Sequence, residues 1–276
     1  LDRYAAQNDE YQRAYPDAKR DYLQSLLRAH ENLFWAKVEV VVDAPTKVAR
    51  RDEAPPSRVF ETLVREWGAA RREILVETAY LVPRERTMRL FAEARARGVQ
   101  VSVLTNSLSS TDVAAVHAGY IKRRPELLAM GVELYEFQRE PEQRPARRGV
   151  RDGNRVFDGE SSEASLHSKA LVFDREVAWV GSFNLDPRSK ALNTEIGLFV
   201  HDPGFAARLA DVVRANFAPA ISWKVEAAEG DPDGPLVWIG ERDGRLVRET
   251  VEPDTTWQVR ALVRVLSVVP GLDGLL

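Results

Sequence analysis

Between Ser57 and Phe137 the chain switches repeatedly between two hydrophobic periods, and this alternation narrows the folds open to it more than any other feature. Val59, Phe60, Leu63, Val64 and Trp67 fall on one helical stripe, and the β-rich run EILVETAYLVP follows. The pattern then recurs. Thr87 to Arg97 predicts a short amphipathic helix ended by Gly98, and VQVSVLT at 99–105 predicts the next strand. A longer helical stretch, TDVAAVHAGYIKRRPELLAMG, with a kink expected near Pro125, precedes the strand VELYEF at 132–137. Strand, helix and strand in succession argue for an α/β layered domain with much parallel pairing, because a crossover helix returns the chain in the same direction.

The flanks read differently. Residues 5–33 carry a weak helical pattern around Tyr22, Leu23, Leu26 and Leu27, and Val38 to Val42 read as a buried strand stopped by Asp43 and Pro45. The polar, Pro-containing stretch RRDEAPPS then sets a first boundary near residue 56. Residues 139–163 lack periodicity and are loaded with Arg, Gly, Pro and Asp, which predicts a long surface loop. Three strand-like segments follow closely: SLHSKALVF, EVAWVGSF and NTEIGLFV. Beyond residue 203 come a helix (PGFAARLADVVRANF), a turn-rich connector (EGDPDGP), a strand (LVWIG) and an amphipathic stretch from TWQVRALVRV to the end.

Composition removes several classes. With 44% hydrophobic and 29% charged residues, the 276-residue chain is neither disordered nor collagen-like. The absence of cysteine excludes disulfides, thiolate nucleophiles and cysteine zinc sites, and His30, His117, His167 and His201 are too dispersed for a zinc cluster. Thirty-nine basic against 42 acidic side chains give a net charge of −3, so no global basic field advertises nucleic acid. No apolar run approaches the roughly 20 residues that span a bilayer. The opening LDRYAAQNDEYQRAYP has no initiator Met and no signal-peptide pattern, so the chain is expected to be a fragment.

Chemistry concentrates in residues 166–200. In a strand, His167 and Lys169 project to one face, while Leu166, Ala170 and Val172 suit a packed interior. Asp174 ends that strand, the next one exits through Gly181, Ser182 and Asn184, and Glu195 opens a third. An imidazole, a cation, neutral hydrogen-bond donors and a carboxylate are thereby expected at one place.

His167-x-Lys169-x4-Asp174, followed by GSFN at 181–184 and by Glu195, resembles the HKD signature of the phospholipase D superfamily. LTNSLSSTDVAAVHAGY, LLAMGVELYEF, GSFNLDPRS with LNTE, and the closing SVVPGLDGLL extend the likeness over roughly residues 30–276, to the C-terminal half of bacterial cardiolipin synthases of the C type. The resemblance implies a phospholipase D-type α/β/α sandwich holding one complete HKD half and the end of a preceding half. In that reading residues 1–55 end the preceding, missing half, 56–217 form the HKD half, and 218–276 are an extension packed on the domain or facing a membrane.

The resemblance further implies the catalytic set His167, Lys169, Asp174, Ser182, Asn184 and Glu195. His167 would attack phosphorus or protonate the leaving oxygen, and Lys169, Ser182 and Asn184 would hold the non-bridging oxygens. Glu195 would set the imidazole tautomer through Nδ1, Asp174 would be a structural partner of the motif, and neither metal nor cofactor would take part. Family sites pair two HKD elements, and this sequence holds one, since none of the other three histidines is followed by Lys two residues later. The expected partner is therefore a missing N-terminal HKD half or a second copy in a homodimer. The implied activity is a phosphatidyltransferase that makes cardiolipin through a phosphohistidine, on phospholipid substrate, peripheral to a bacterial inner membrane. Its rivals are a phospholipase D hydrolase, an HKD nuclease, for which the charge offers little support, and a degenerate half serving only as a docking module.

Other residues carry two readings each. His117, Tyr120, Val113 and Val116 share a helical face, which fits a packed histidine or the wall of a substrate pocket. Asp112 is equally explained as part of a helix start. Glu77, Thr78 and Tyr80 sit at a strand end, where they line a cleft or serve structure. Arg144, Arg147, Arg148, Arg151 and Arg155 make a basic loop, either solvated or in contact with anionic lipid. Val259, Leu262, Val263, Leu266 and Val269 form a stripe that packs on the domain or lies in a membrane interface.

Overall fold

The computed structural model describes residues 34–49, 55–138, 165–228 and 234–269. The helical pattern at 5–33 and the arginine loop lie outside the described residues, as does most of the linker before Ser57. The chain divides into two compact units, Leu1–Trp35 and Ala36–Leu276, and the architecture below is that of the second.

Its elements are β1 (Lys37–Val42), α1 (Thr46–Ala49), α2 (Arg58–Ala69), β2 (Glu73–Thr78), α3 (Glu85–Ala96), β3 (Gln100–Asn106), α4 (Ala114–Ala129), β4 (Glu133–Phe137), β5 (Lys169–Phe173), β6 (Val177–Gly181), α5 (Pro187–Ala191), β7 (Ile196–His201), α6 (Pro203–Ala215), β8 (Ser222–Ala227), β9 (Leu236–Arg242), β10 (Arg245–Glu249) and α7 (Trp257–Val268). All ten strands form one sheet in the order β1-β7-β6-β5-β2-β3-β4-β8-β9-β10. Among the described strands, only the β2–β3 and β3–β4 pairs are parallel. This is less parallel pairing than the helix–strand alternation predicts, because a tight turn joins β5 to β6, and the connection from β6 to β7, although it carries α5, returns the chain to the same end of the sheet, so both pairs are antiparallel. Pro125 lies inside α4. Two short strands, β8 and β10, join the sheet without having been expected.

Both faces of the sheet are covered, as the layered reading requires. Ser57 caps α2 by accepting from Phe60 N–H at 3.1 Å, and the stripe Val59, Phe60, Leu63 and Trp67 packs with α3 over Ile74, Val76, Leu171, Phe173 and Trp179. On the opposite face Ala206, Ala210 and Val213 of α6 cover Leu75, Val172, Ala178 and Val200. β1, on the N-terminal side of the expected boundary near residue 56, pairs with β7 along its whole length. Among the described residues no helix is long and apolar enough to cross a membrane.

A buried ion pair fixes the junction of β1, α2 and β7. Lys47 Nζ lies 2.5 Å from Asp43, whose carboxylate also accepts from Ser57 Oγ at 2.9 Å, Val59 N–H at 3.2 Å and Glu195 N–H at 3.3 Å. Burial, the largest influence on Asp43, raises its pKa, but Lys47, Val59 and Ser57 together outweigh it and hold the carboxyl below the usual range. Asp43→Asn should cost about 3–5 kcal/mol by leaving the Lys47 ammonium buried and unpaired, and Lys47→Met in the same chain should restore part of the loss. A depressed native pKa lends stability that is complete above the unfolded value of about 3.9 and disappears as pH falls through the lower native value. Denaturant titrations should accordingly show the gap between wild type and Asp43→Asn closing below about pH 4.

Candidate active site

Lys169, the first residue of β5, stands beside Thr78, the last of β2, while β3 ends at Asn106 and β6 at Gly181, with β7 beginning at Ile196. The loops that carry Ser182, Asn184, Glu195 and His167 therefore leave one end of the sheet, the carboxyl end of its parallel strands. His167 and Ser168 precede β5 instead of lying in it. β5 itself is buried on both faces, with Leu171 and Phe173 in the larger core and Val172 in the smaller. The simple division into one packed and one functional face therefore fails along the strand and applies only at its mouth.

His167 is exposed, and its backbone carbonyl accepts from Lys169 Nζ at 2.7 Å. Burial lowers the Lys169 pKa, opposed by the nearby carboxylates of Glu195, Asp186 and Asp112. Ser182 Oγ donates to the buried Glu195 carboxylate and accepts from Ile196 N–H at 3.1 Å. The other Glu195 oxygen accepts from Asn193 Nδ2 at 3.2 Å. Glu195 thus orients Ser182 here, and among the described residues the His167 imidazole has no hydrogen bond to it, contrary to the tautomer-setting contact that the resemblance implies. Asn184 is buried, its Oδ1 is 3.5 Å from Thr78 Oγ1, and its backbone N–H donates to Ser189 Oγ at 3.0 Å.

Asp174 lies at the far end of β5, away from this group. It and Arg175 take positive φ, 55° and 57°, in the tight β5–β6 turn, and its carboxylate accepts from the N–H groups of Arg71, Arg72 and Glu73 at 2.7–2.9 Å. Burial raises its pKa most, but those three N–H donors win and hold it low. The geometry removes Asp174 from the reacting group and makes it the clasp between β5 and β2.

His117 and Tyr120 belong to a buried polar cluster. Arg124 Nη2 is 3.1 Å from His117 Nε2. Arg124 also pairs with Glu136 at 3.0 Å and Glu252 at 2.7 Å and lies over the Tyr120 and Trp238 rings. Burial raises the Glu136 pKa, whereas the attraction of Arg124 and His117 overcomes burial at Glu252 and pulls it down to about 2. Of the two readings of His117 and Tyr120, this geometry is the packed one.

Several site-shaping residues carried no signature. Asn106 donates to Leu166 C=O at 2.9 Å and accepts from Leu166 N–H at 3.0 Å, gripping the backbone immediately before His167. The buried carboxylate of Glu77 accepts from Ser168 Oγ on the other side of His167 and from Asn216 Nδ2 at 2.9 Å. Thr78 Oγ1 donates to Tyr80 C=O at 3.0 Å, and Tyr80 Oη donates to Asp112 at 2.8 Å. Asp186, the cap of α5, is driven up in pKa chiefly by burial. The position of Glu77, Thr78 and Tyr80 at a strand end was visible in the sequence, but their partners were not. Among the described residues no group of three or more His, Asp or Glu side chains is arranged to hold a metal ion.

A family model described as cardiolipin synthase, PLD-like domain, matches residues 63–218, and the chain belongs to that family. Cardiolipin synthase C of Escherichia coli (strain K12) is 35% identical over 243 residues, covering 86% of this chain and 48% of the relative. Cardiolipin synthase A of Pectobacterium carotovorum subsp. carotovorum (strain PC1) is 29% identical over 177 residues, 62% of this chain and 31% of the relative. Nuc of Salmonella typhimurium, a phospholipase D family member of known crystal structure, aligns at a TM-score of 0.47 and 17% identity, over 70% of this chain and 100% of that one. The chain spans about half the length, or less, of these curated relatives.

Asn106→Ala should lower stability by about 1–3 kcal/mol, because it strips partners from the buried backbone at Leu166. Asn106→Asp, which sets a buried carboxylate oxygen against the Leu166 and Ala79 carbonyls in place of the amide donor, should lose more; urea midpoints for the two variants check the ranking.

Proposed function

We propose that the chain is one HKD half of a phosphatidyltransferase that makes cardiolipin from phosphatidylglycerol-type lipids. The observation that carries the reading is the meeting of Lys169, Ser182, Asn184 and Glu195 at the sheet end where His167 is exposed, in a member of this family. Lys169, the Ser182 hydroxyl and the Asn184 amide supply a cation and neutral donors for the non-bridging oxygens of a phosphodiester. The His167 ring nitrogen bonds to phosphorus as the bond to the glycerol oxygen breaks, and that oxygen takes a proton from a second histidine. The headgroup hydroxyl of another lipid then returns its proton to that histidine while its oxygen displaces His167 from phosphorus. The opposite assignment, with His167 as the proton carrier, uses the same parts.

The second histidine comes, in this reading, from an N-terminal HKD half or a second copy. The relatives' greater length supports it. So does an exposed aliphatic strip on one face of β1 and β7, formed by Val38, Val40, Val42, Ile196 and Leu198, which begins next to Glu195 and suits a protein contact. The working position is peripheral, on a bacterial inner membrane.

Incubation with phosphatidylglycerol vesicles should yield cardiolipin and glycerol when the chain is joined by an N-terminal HKD half, and the chain alone should be inactive or nearly so unless it dimerises. His167→Ala should reduce turnover by about 10³-fold or more and abolish the acid-labile phosphohistidine. Phosphatidic acid as sole product would make it a hydrolase, and full turnover by a monomer in light scattering would defeat the two-histidine scheme.

A further inference from the structure

The α7 helix is apolar on two opposite faces. Val259, Val263 and Leu266 pack against Leu108, Ala114, Ala118 and Ile121. Trp257, Ala261, Val265 and Val268 occupy the other side at helical spacing, and Trp257, Val265 and Val268 are 66%, 62% and 77% exposed. A helix resting on a globular domain ordinarily turns polar residues outward, and one that is hydrophobic all round needs a second apolar environment. Arg264 lies on the same outer face and Arg260 on its flank, and residues 257–269 contain no Asp or Glu. Arg264 has no carboxylate partner among the described residues. Both arginines also line a cavity of about 300 Å³ bounded by α4, α7 and β9.

We infer that the outer face of α7 docks on an anionic phospholipid bilayer. An aromatic residue and aliphatics on one helical face, flanked by arginines and free of acidic groups, match the two demands of such a surface, an apolar interior and negative headgroups. The location fits the site as well: Leu108, on which Val263 packs, lies two residues after Asn106, whose side chain grips the segment leading into His167. The inner face of α7 thus rests on the segment that follows β3 at the end of the sheet carrying the site. The choice of a bilayer as occupant rests on the phospholipid substrate proposed above.

Co-sedimentation with vesicles of phosphatidylglycerol and phosphatidylcholine tests it without turnover. The wild-type chain should partition to phosphatidylglycerol-rich vesicles in a salt-sensitive way and weakly to pure phosphatidylcholine. Trp257→Ser with Val268→Ser should weaken partition by about tenfold or more, and Arg264→Gln by about fivefold. Leu246→Ser, which changes an exposed leucine on β10, should leave it unchanged. Circular dichroism establishes that each variant is folded. Absent wild-type partition, or equal partition by the Trp257/Val268 variant, overturns the inference. So does a variant that dissociates a wild-type dimer in light scattering while vesicle partition is unaltered. His167→Ala should partition like wild type, so lost turnover with intact partition counts against the proposed activity alone, and turnover without α7-dependent partition counts against docking alone.

Discussion

The Asp43–Lys47 pair holds the site from behind. Asp43 ties β1 to the start of α2 through Ser57 and Val59 and to β7 through reciprocal contacts with the backbone of Glu195. Lys47 reaches past it to Ser189 C=O at 2.8 Å, and Ser189 Oγ in turn accepts from Asn184 N–H. One buried pair thus braces both loops that carry Ser182, Asn184 and Glu195. An ion pair with neither member exposed is an expensive brace, since replacing it with well-packed apolar groups is often neutral or better. What an apolar cluster would not supply is direction, because Lys47 and Asp43 each satisfy a backbone group of a loop whose geometry matters.

A second set of polar contacts performs the same service for the histidine. Asn106 saturates both hydrogen-bonding groups of Leu166, and Glu77 engages Ser168, so the backbone is fixed immediately before and after His167 while the ring stays exposed. At the other end of β5 the Asp174 carboxylate binds three successive N–H groups and fixes the register of β5 against β2. The three motif residues therefore divide their labour along one strand. His167 and Lys169 stand at its open end, and Asp174 sets where that end falls, about 3.3 Å per residue away.

The long periodic helices and the buried central strands were legible because their hydrophobic spacing is a local property. The spacing of His167, Lys169, GSFN and Glu195 was legible because it belongs to a motif. Three things were hidden. The direction of pairing depends on the end of the sheet to which each connection returns the chain, which the alternation before residue 137 does not represent. β8 buries only Trp223 and Val225 in the core, too short an alternation to stand out, and the mostly exposed β10 is a strand because β9 offers it hydrogen bonds. Apart from the Asp43–Lys47 pair, which is four residues apart, the roles of Asn106, Glu77 and Asp43 rest largely on partners distant in the chain, such as Leu166, Ser168 and Glu195, and an isolated Asn or Asp has no pattern from which such partners follow.

The polar cluster around Arg124 explains why the residues after β10 behave as part of the domain. Glu252 precedes α7, and its pairing with Arg124 fastens that segment to the middle of α4, while Val259, Val263 and Leu266 fasten α7 itself. Arg124 is fully enclosed between Glu136, Glu252 and the faces of Tyr120 and Trp238, so moving the segment away would leave a buried cation with one carboxylate fewer. With its inner side held by charge and by packing, α7 needs nothing from its outer side for stability. The exposed tryptophan and valines there are thus free to answer to another constraint, and the phospholipid chemistry proposed above supplies one.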